Sequence, residues 1–441
     1  MTEQTLTPEK LLALKAQYLM PCVYHFYRKP MVIVRGEGCH VYDQDGKAYL
    51  DAYSGVGVNN CGHCNPAIVE RTTAQLHKLQ HMTTIYLTEP MLKLAAALAA
   101  FLPGKLNRSF FCTSGSEANE GALLLAKLAT GKNDFIALSR SLHGRTYLTA
   151  GLTGIAFWRS DPQPPQNIHF AASPVCSQCP YQLQYPACHI RCADEIEAIA
   201  EQQPQRIAAF IAEPINGNGG IVVPPDGYFE KVQAILKKHG ILMIMDEAQT
   251  GFCRTGKRFG FQHYAIEPDI VTVCKALGNG LPISAFIATD AVAECYTRPG
   301  ASTFGGNPVC AEAALGVLAF MQEHELDEKA CVTGTLIRAR LLRLQRQHPL
   351  IREVRGRGLM LGAELVRADG SPAVEELDAL LEHLKDLGVL VGKTGPERNV
   401  LTLMPPLVLS GAEAKYLCTS LEQAFAELAI TEVPTVIGRV C

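Results

Sequence analysis

Short apolar runs alternate with longer stretches of helical periodicity through the middle of the chain, and this alternation constrains the fold most strongly. The runs cover residues 108–113, 135–138, 207–212, 241–245 and 270–274. They are short and mostly apolar, which is typical of strands that are buried on both faces. Between them, residues 117–130 and 228–239 have helical spacing and precede Gly131 and Gly240, where helices commonly end. The pattern predicts an α/β core with a mostly parallel sheet.

The two ends of the chain have a different pattern. Residues 30–50 combine short apolar segments with the turn signal Asp43-Gln44-Asp45-Gly46, which predicts a small antiparallel sheet. Toward the other end, residues 326–347 predict a long amphipathic helix, and residues 359–365 resemble a strand. At about 100–200 residues per domain, the chain length of 441 residues suggests two or three domains. We expect a large domain over residues 61–325 and a small α+β domain formed by residues 1–60 and 326–441.

Composition excludes several classes of protein. The net charge is -3, and no cluster of lysine and arginine provides the basic surface that a nucleic-acid-binding protein needs. No apolar run reaches the roughly 18–20 residues that cross a membrane. The first residues lack the apolar core of a secretion signal, so we interpret the 16 cysteines as reduced thiols of a cytoplasmic protein. We therefore expect small-molecule substrates, with no nucleic acid and no membrane as partner.

The first motif that suggests chemistry lies where the strand over residues 108–113 meets the next helix. The turn Ser114-Gly115-Ser116 consists of small residues, and Ser114 and Glu117 have the spacing of a capping box. The amides that begin such a helix, together with its dipole, favour an anion such as phosphate. An ordinary capped turn explains the same residues equally well. The motif lacks the lysine of a P-loop and the glycine spacing of a dinucleotide fingerprint.

Two further motifs follow buried strands. Asp246 ends one strand at the edge where open α/β sheets bind ligands, and Gln249 follows three residues later. Lys275 comes directly after the strand over residues 270–274, where partial desolvation suits an amine to imine chemistry. Each residue alone is more commonly a helix cap or a solvated charge. A carboxylate, a lysine and a phosphate-binding turn together match the requirements of pyridoxal phosphate, which we predict as the cofactor.

The order of these motifs resembles that of the class III aminotransferases, which are pyridoxal-phosphate enzymes of fold type I. The resemblance extends from about His40-Val41-Tyr42-Asp43 to about Pro405-Pro406-Leu407, nearly the whole chain. It implies an aminotransferase with ping-pong kinetics and a keto-acid acceptor such as pyruvate, glyoxylate or 2-oxoglutarate. Other outcomes on the same scaffold stay open, namely a lyase acting on a phosphorylated amine, a racemase, a decarboxylase or a non-catalytic relative.

The resemblance also implies roles for individual residues. Lys275 corresponds to the lysine that binds the cofactor as an imine and moves the proton, and Asp246 corresponds to the partner of the pyridine nitrogen. The other residues expected to contact the cofactor are Ser114, Gly115, Ser116, Leu142, His143, Glu213, Gln249 and Thr303. Among them, Thr303 matches a threonine that reaches the phosphate of the neighbouring subunit. The resemblance therefore implies a homodimer with shared active sites.

Two positions depart from the family pattern. Leu142 stands where the family has an aromatic residue that stacks on the cofactor ring, so either Leu142 or His143 is expected to cover the ring. Thr402 stands where family members acting on α-amino acids carry an arginine that binds the substrate carboxylate. We therefore hypothesise an amine or ω-amino acid as donor, with any substrate carboxylate bound elsewhere. The possible substitutes for the missing arginine are Arg145, Arg159 and Arg398.

A cysteine-rich segment allows two interpretations. Cys176, Cys179, Cys188 and Cys192 have a spacing that zinc sites also use. The segment also contains tyrosines and prolines and resembles an insertion that some class III aminotransferases carry. We favour the insertion and expect no bound metal.

Overall fold

The structure is a computed structural model that describes residues 7–430. Its strands are β1 (Ile33–Glu37), β2 (His40–Asp43), β3 (Ala48–Asp51), β4 (Arg108–Cys112), β5 (Asp134–Leu138), β6 (Ile168–Ala171), β7 (Ile207–Ala212), β8 (Leu242–Asp246), β9 (Ile270–Val273), β10 (Ser284–Ala288), β11 (Ile351–Arg357), β12 (Met360–Leu365), β13 (Val389–Leu390), β14 (Gly392–Thr394) and β15 (Val400–Leu403). Its helices are α1 (Pro8–Tyr18), α2 (Ser54–Gly57), α3 (Pro66–Lys78), α4 (Glu89–Phe101), α5 (Gly115–Thr130), α6 (Tyr147–Gly151), α7 (Arg191–Gln202), α8 (Tyr228–His239), α9 (Asp290–Ala293), α10 (Pro308–Glu323), α11 (Leu326–Gln347), α12 (Val374–Asp386) and α13 (Gly411–Ile430).

The largest sheet has seven strands in the order β4-β10-β9-β8-β7-β5-β6. Strands β5 to β9 pair in parallel, and only β10 runs antiparallel to both of its neighbours. The five predicted strands correspond to β4, β5, β7, β8 and β9, so the prediction of an α/β core with a mostly parallel sheet is confirmed. β7 is buried along its whole length, because helices cover both faces of the sheet.

Helices α5 and α8 begin and end close to the predicted residues. Gly131 and Gly240 follow them with φ values of 68° and 60°, a left-handed conformation that favours glycine at a helix end. Apart from the buried Asn119, the inner face of α5 consists of alanine and leucine, and it packs against β7, β9 and β10. This packing fixes the start of α5 above the sheet edge at which the strands end.

The two ends of the chain form two further sheets of four strands each. The first has the order β1-β2-β3-β13, in which Val389 of β13 pairs in parallel with Leu50 of β3. The second has the order β11-β12-β15-β14 and is antiparallel. The predicted helix over residues 326–347 is α11. Residues 1–6 and 431–441 of the expected small domain lie outside the described residues.

The part of the chain covered by residues 7–430 contains no helix that is both long and apolar enough to cross a membrane.

Candidate active site

The carboxyl edge of the seven-stranded sheet brings the sequence-predicted residues together. Asp246 is the last residue of β8, and the neighbouring strand β9 ends two residues before Lys275. On the far side of β10, strand β4 leads into the first turn of α5. A Cβ atom placed on Gly115 there would lie 3.6 Å from Cys274 and 3.8 Å from Ala248. The carboxylate, the lysine and the small-residue turn therefore share one edge of the sheet.

Asp246 is buried and surrounded by hydrogen-bond donors. Its Oδ2 lies 2.8 Å from His143 Nδ1 and accepts a hydrogen bond from Asn119 Nδ2 at 2.8 Å, while its Oδ1 accepts from the Ala248 amide at 3.0 Å. Burial raises the pKa of Asp246, but His143 and the other donors outweigh it and hold this pKa below its ordinary value. The carboxyl group therefore stays charged and can pair with a cation such as a protonated ring nitrogen.

His143 and Leu142 occupy different positions beside this carboxylate. The side chain of His143 is fully buried, its Nδ1 contacts Asp246, and its Nε2 has no hydrogen-bond partner among the described residues. Leu142 is half-buried, and its amide donates to Glu213 Oε1 at 3.1 Å. The hydrogen bond to Asp246 holds His143 against the carboxylate, whereas Leu142 contacts Glu213 through its backbone amide.

Glu213 and Gln249 border the same space in different ways. The Glu213 carboxylate accepts from the amides of Leu142 and Gly217, and burial raises its pKa. Gln249 is also buried, yet neither atom of its side-chain amide has a partner within residues 7–430. Buried amides in folded proteins are almost always hydrogen-bonded. The orphaned amide of Gln249 therefore fits a bound group that presents an oxygen, such as the ring hydroxyl of pyridoxal phosphate.

The turn at the start of α5 has the features of an anion site. Ser114 Oγ accepts from the Glu117 amide at 3.2 Å, as the capping box predicts. Glu117 does not return the bond to Ser114, because its carboxylate accepts from the amide of Thr113 at 2.9 Å. Ser116 Oγ accepts from the Arg145 amide at 3.0 Å, which joins the turn to the segment that carries His143. The first-turn amides and the dipole of this 16-residue helix fit a phosphate group.

Lys275 opens a short 3-10 turn, Lys275–Gly278, directly after β9. Its φ of 46° is left-handed, which is uncommon for a residue with a long side chain. Such strained positions cluster at functional sites, where the surrounding structure enforces them. The backbone therefore holds this lysine in a defined place beside the carboxyl edge of the sheet.

Thr303 lies on the surface rather than in the interior of its own chain. It is exposed, and Phe304 beside it is 61% exposed. The flanking Ser302 is anchored, since its amide donates to Thr84 Oγ1 at 3.0 Å. The structure thus presents Thr303 outward from a fixed loop.

Thr402 is fully buried in β15, with its Oγ1 2.7 Å from Thr394 Oγ1. Arg145 is exposed, and Arg159 is exposed with its guanidinium 5.4 Å from the centre of the Phe170 ring. Arg398 differs from both, because it is 8% exposed and lies among aromatic side chains.

The four clustered cysteines line one small cavity but do not form a metal site. Cys176, Cys179, Cys188 and Cys192 are free thiols, as are all other cysteines within residues 7–430. No three of their sulfur atoms have the spacing that a shared metal requires. In the described part of the chain, only Glu197, Glu201 and His239 have such a spacing, and Lys238 already pairs with Glu197 at 2.5 Å.

Sequence reasoning missed two residues that support Asp246. Asn119 on α5 donates to the Asp246 carboxylate, and Thr272 in β9 donates to Asn119 Oδ1 at 2.6 Å. Both are about 1% exposed, and the signal that could have found them is a polar residue on the buried face of an element.

The comparisons with known proteins agree with this geometry. The family profile described as Aminotransferase class-III matches residues 24–425. Over 422 residues, the chain is 38% identical to alanine–glyoxylate aminotransferase 2 homolog 2, mitochondrial, of Arabidopsis thaliana, which covers 95% of this chain and 87% of that protein.

Two solved structures are closely similar. An (S)-enantioselective omega-transaminase from Thermomicrobium roseum has a TM-score of 0.89 at 31% identity, covering 96% of this chain and 100% of its own. A phospholyase from Arthrobacter, in complex with phosphoethanolamine, has a TM-score of 0.86 at 32% identity, covering 94% and 99%. Each of these matches covers most of both proteins, and the site residues fit the cofactor that this family uses. The chain therefore belongs to the class III aminotransferase family and is a pyridoxal-phosphate-dependent transaminase of fold type I.

Proposed function

We propose that this transaminase takes an amino group from an amine or an ω-amino acid and passes it to a keto acid such as pyruvate, glyoxylate or 2-oxoglutarate. The observation that supports this donor class is Thr402, which stands at the position where the family pattern has an arginine. Thr402 is buried, and its hydroxyl is hydrogen-bonded to that of Thr394. A threonine cannot replace the paired hydrogen bonds of a guanidinium to a carboxylate. A donor without an α-carboxylate does not need them.

The residues of the site divide the chemistry between them. Bound pyridoxal phosphate supplies an electron-withdrawing ring that stabilises charge on the substrate carbon. Lys275 Nζ would remove the proton from that carbon and deliver it to the carbon on the other side of the nitrogen. Asp246 holds the proton on the ring nitrogen, because its own carboxylate remains charged. The amide of Gln249 would bind the ring oxygen, and the start of α5 would bind the phosphate.

The proposed active unit is a homodimer in which Thr303 completes the phosphate site of the partner subunit. Its support is an exposed apolar patch that consists of Ile85, Tyr86, Leu87 and Phe304, each more than 60% exposed. Large exposed apolar patches usually mark an interface. The same loop presents Thr303, so pairing through this patch would bring it toward a second chain.

We also propose a cytoplasmic location. All 15 cysteines within residues 7–430 are free thiols, which agrees with a reducing compartment. Fractionation of cells that produce the protein tests this location.

A second candidate reaction is elimination from a phosphorylated amine. Thr402 leaves the donor class open to such a substrate, and the structural similarity to a phospholyase adds support. A lyase releases its product without a keto acid, whereas a transaminase needs one for turnover. Racemisation and decarboxylation differ again in their products.

The decisive experiment is product analysis with a panel of donors, with and without a keto-acid acceptor. We expect turnover of amines or ω-amino acids only when the acceptor is present. Strong activity confined to α-amino acids would overturn the donor class, and phosphate release without acceptor would favour the lyase. Lys275→Ala serves as the control, and we expect it to lose activity by roughly 10⁴-fold or more because the proton-transfer base is gone.

A further inference from the structure

Arg398 is a buried cation without an anionic partner. It is 8% exposed and lies in the turn between β14 and β15 with a φ of 59°. Within residues 7–430 it forms no ion pair, and the only hydrogen bond of its guanidinium goes from Nη2 to the Tyr24 hydroxyl at 3.3 Å. Burying an unpaired charge is costly unless a counter-charge or several acceptors compensate. Most of the guanidinium donors of Arg398 are therefore free to bind an anion.

Arg254 is a buried arginine of the same protein whose donors are mostly satisfied by the chain itself. It is also fully buried and lacks an acidic partner, but its guanidinium donates to the carbonyl oxygens of Leu359 and Pro405 and to the side chains of Ser54 and Asn60. Acceptors of the chain thus satisfy most of its donors. Arg398 has no comparable set.

Aromatic rings surround Arg398 and leave polar donors beside it. Its guanidinium carbon lies 5.2 Å from the ring centre of Phe157 and 5.8 to 5.9 Å from those of Tyr24, Phe26 and Trp158. Cation–π contacts of this kind compensate part of the desolvation but do not neutralise the charge. The indole Nε1 of Trp158 is buried and has no acceptor within the described residues. Guanidinium, hydroxyl and indole are all donors, which is the requirement for an oxyanion.

This aromatic cage, formed by Tyr24, Phe26, Phe157 and Trp158, is linked to the active site by Tyr53. The ring of Tyr53 lies 5.9 Å from that of Phe26 and packs against the apolar cluster of Ile215, Ile221, Met360 and Met404. A Cβ atom on Gly57 would lie 3.7 Å from Met404 and 3.9 Å from Gln249. Few layers of side chains therefore separate the cage from the orphaned amide of Gln249.

We propose that Arg398, with Trp158 and Tyr24, binds an oxyanion of the substrate, a carboxylate or a phosphate at the end remote from the reacting amino group. The inference rests on the proposed function and narrows its substrate class to amines with an anionic tail. Arginine suits both groups because its planar fork donates two parallel hydrogen bonds. Arg398 would thus supply the charge that is missing at Thr402, from the turn at the start of the same strand.

The test compares Arg398→Met, which keeps the apolar stem, with Arg398→Lys, which keeps the charge. The donors are a neutral primary amine, an ω-amino acid and a phosphorylated amine. In Arg398→Met we expect the KM of anionic donors to rise by roughly 30-fold or more and that of the neutral amine to change by less than about 3-fold. Arg398→Lys should recover part of the loss. Arg159→Met, at an exposed arginine beside Trp158, is the matched control and should change neither value.

A binding measurement that does not depend on turnover separates the two oxyanions. Titration calorimetry of the wild-type holoenzyme with glutarate and with inorganic phosphate shows which one binds, and the stronger ligand should weaken at least about tenfold in Arg398→Met. Trp158→Phe keeps an aromatic ring but removes the indole N–H donor, so it should weaken binding of the same ligand less than Arg398→Met does. This variant keeps the proposal testable if Arg398→Met does not fold.

Three outcomes would overturn the inference. If Arg398→Met weakened neutral and anionic donors equally, Arg398 would have only a structural role. If its kinetics and anion binding were unchanged, Arg398 would not take part in substrate recognition. If neither glutarate nor phosphate bound the wild type, there would be no anion site. A wild-type enzyme that converts no amine or ω-amino acid would instead contradict the proposed function.

Discussion

Asp246 owes its charged state to a short chain of polar side chains inside an otherwise apolar layer. Thr272 donates to the oxygen of the Asn119 amide, which turns the nitrogen of that amide toward Asp246 and the His143 carbonyl. His143 Nδ1 contacts the same carboxylate oxygen at 2.8 Å. The carboxylate thus has a fixed direction as well as a charge, and both are needed to hold a ring nitrogen.

Asp246→Asn tests the charge, because asparagine keeps the size of the side chain. We expect kcat to fall by about 10²- to 10⁴-fold, since a neutral amide cannot keep the ring nitrogen protonated. Kinetics of the donor half-reaction give the value, and cofactor content measured after denaturation provides the control. If the variant retained the cofactor and its kcat fell by less than about tenfold, the result would contradict the role of Asp246 as partner of the ring nitrogen.

Leu142→Phe tests whether residue 142 covers the cofactor ring. A stacked aromatic pair contributes about 0.5–1.5 kcal/mol beyond its buried area, so the cofactor should dissociate roughly 2- to 12-fold more slowly. The measurement is the loss of cofactor absorbance during dialysis, with Leu142→Ala as the comparison expected to lose cofactor faster. Identical rates in all three proteins would show that this side chain does not contact the ring.

At the scale of elements, the close approach of α5 to the sheet depends on a residue without a side chain. A Cβ atom on Gly121 would overlap the ring of Phe286 in β10. On Gly316 in α10, it would instead lie 3.2 Å from the flexible Arg71 side chain. An added side chain should therefore be resisted at Gly121 and tolerated at Gly316.

Gly121→Ala and Gly316→Ala form a matched pair. Alanine favours a helix by about 1 kcal/mol over glycine, yet overpacking costs about 1–3 kcal/mol, so Gly121→Ala should lower the free energy of unfolding. Gly316→Ala should leave it unchanged or raise it slightly. Chemical denaturation measures both, and equal effects of the two substitutions would refute the steric explanation.

His263, in the segment between β8 and β9, makes the stability of the fold depend on pH. Burial and the nearby charges of Arg357 and Lys257 lower the pKa of His263 to about 4, and its ring Nε2 lies 3.1 Å from the carbonyl of Thr255. An unfolded histidine has a pKa of about 6.5, so the unfolded state binds more protons between these values. The contribution of His263 is complete above about pH 6.5 and is lost as the pH falls toward 4.

Between pH 7 and pH 5, we therefore expect the free energy of unfolding to fall by roughly 1 kcal/mol more in the wild type than in His263→Asn, after allowance for partial exposure of the ring. Urea denaturation at the two pH values measures the difference. A parallel pH dependence in both proteins would contradict the buried neutral histidine.

Element by element, prediction from sequence succeeded where an element is regular and buried. The buried strands stand out because both of their faces are apolar, and α8 stands out because one stripe along the helix is apolar. β6 lies at the sheet edge and is largely half-exposed, and β11 contains three arginines, so neither has the expected pattern. Lys275 and Asp246 were found because a charge after an apolar run is conspicuous. The two segments of the aromatic cage lie more than 200 residues before Arg398 in the sequence, so the cage has no local signal.

For the whole molecule, the exposed patch of Ile85, Tyr86, Leu87 and Phe304 predicts how two chains meet. It lies beside the Ser302–Thr84 hydrogen bonds, so the patch and the Thr303 loop form one surface. A charge in the middle of such a surface would have to be buried on association.

Leu87→Asp should therefore convert the proposed dimer to a monomer and lower activity, because Thr303 would no longer reach a partner. Light scattering after size-exclusion chromatography gives the mass, and Leu336→Asp is the control, at a residue of α11 that is 60% exposed. A dimeric Leu87→Asp protein, or a wild type that is monomeric and fully active, would contradict the shared site.

The pairing of β3 with β13 also sets an order of events during synthesis. About 340 residues separate Asp51 from Val389, and at roughly 5–20 residues per second a ribosome needs roughly 20 to 70 s to make them. All seven strands of the large sheet are complete long before then, since β10 ends at Ala288. The first sheet of the chain is thus among the last to close, and until β13 emerges, the edge of β3 is open to other partners.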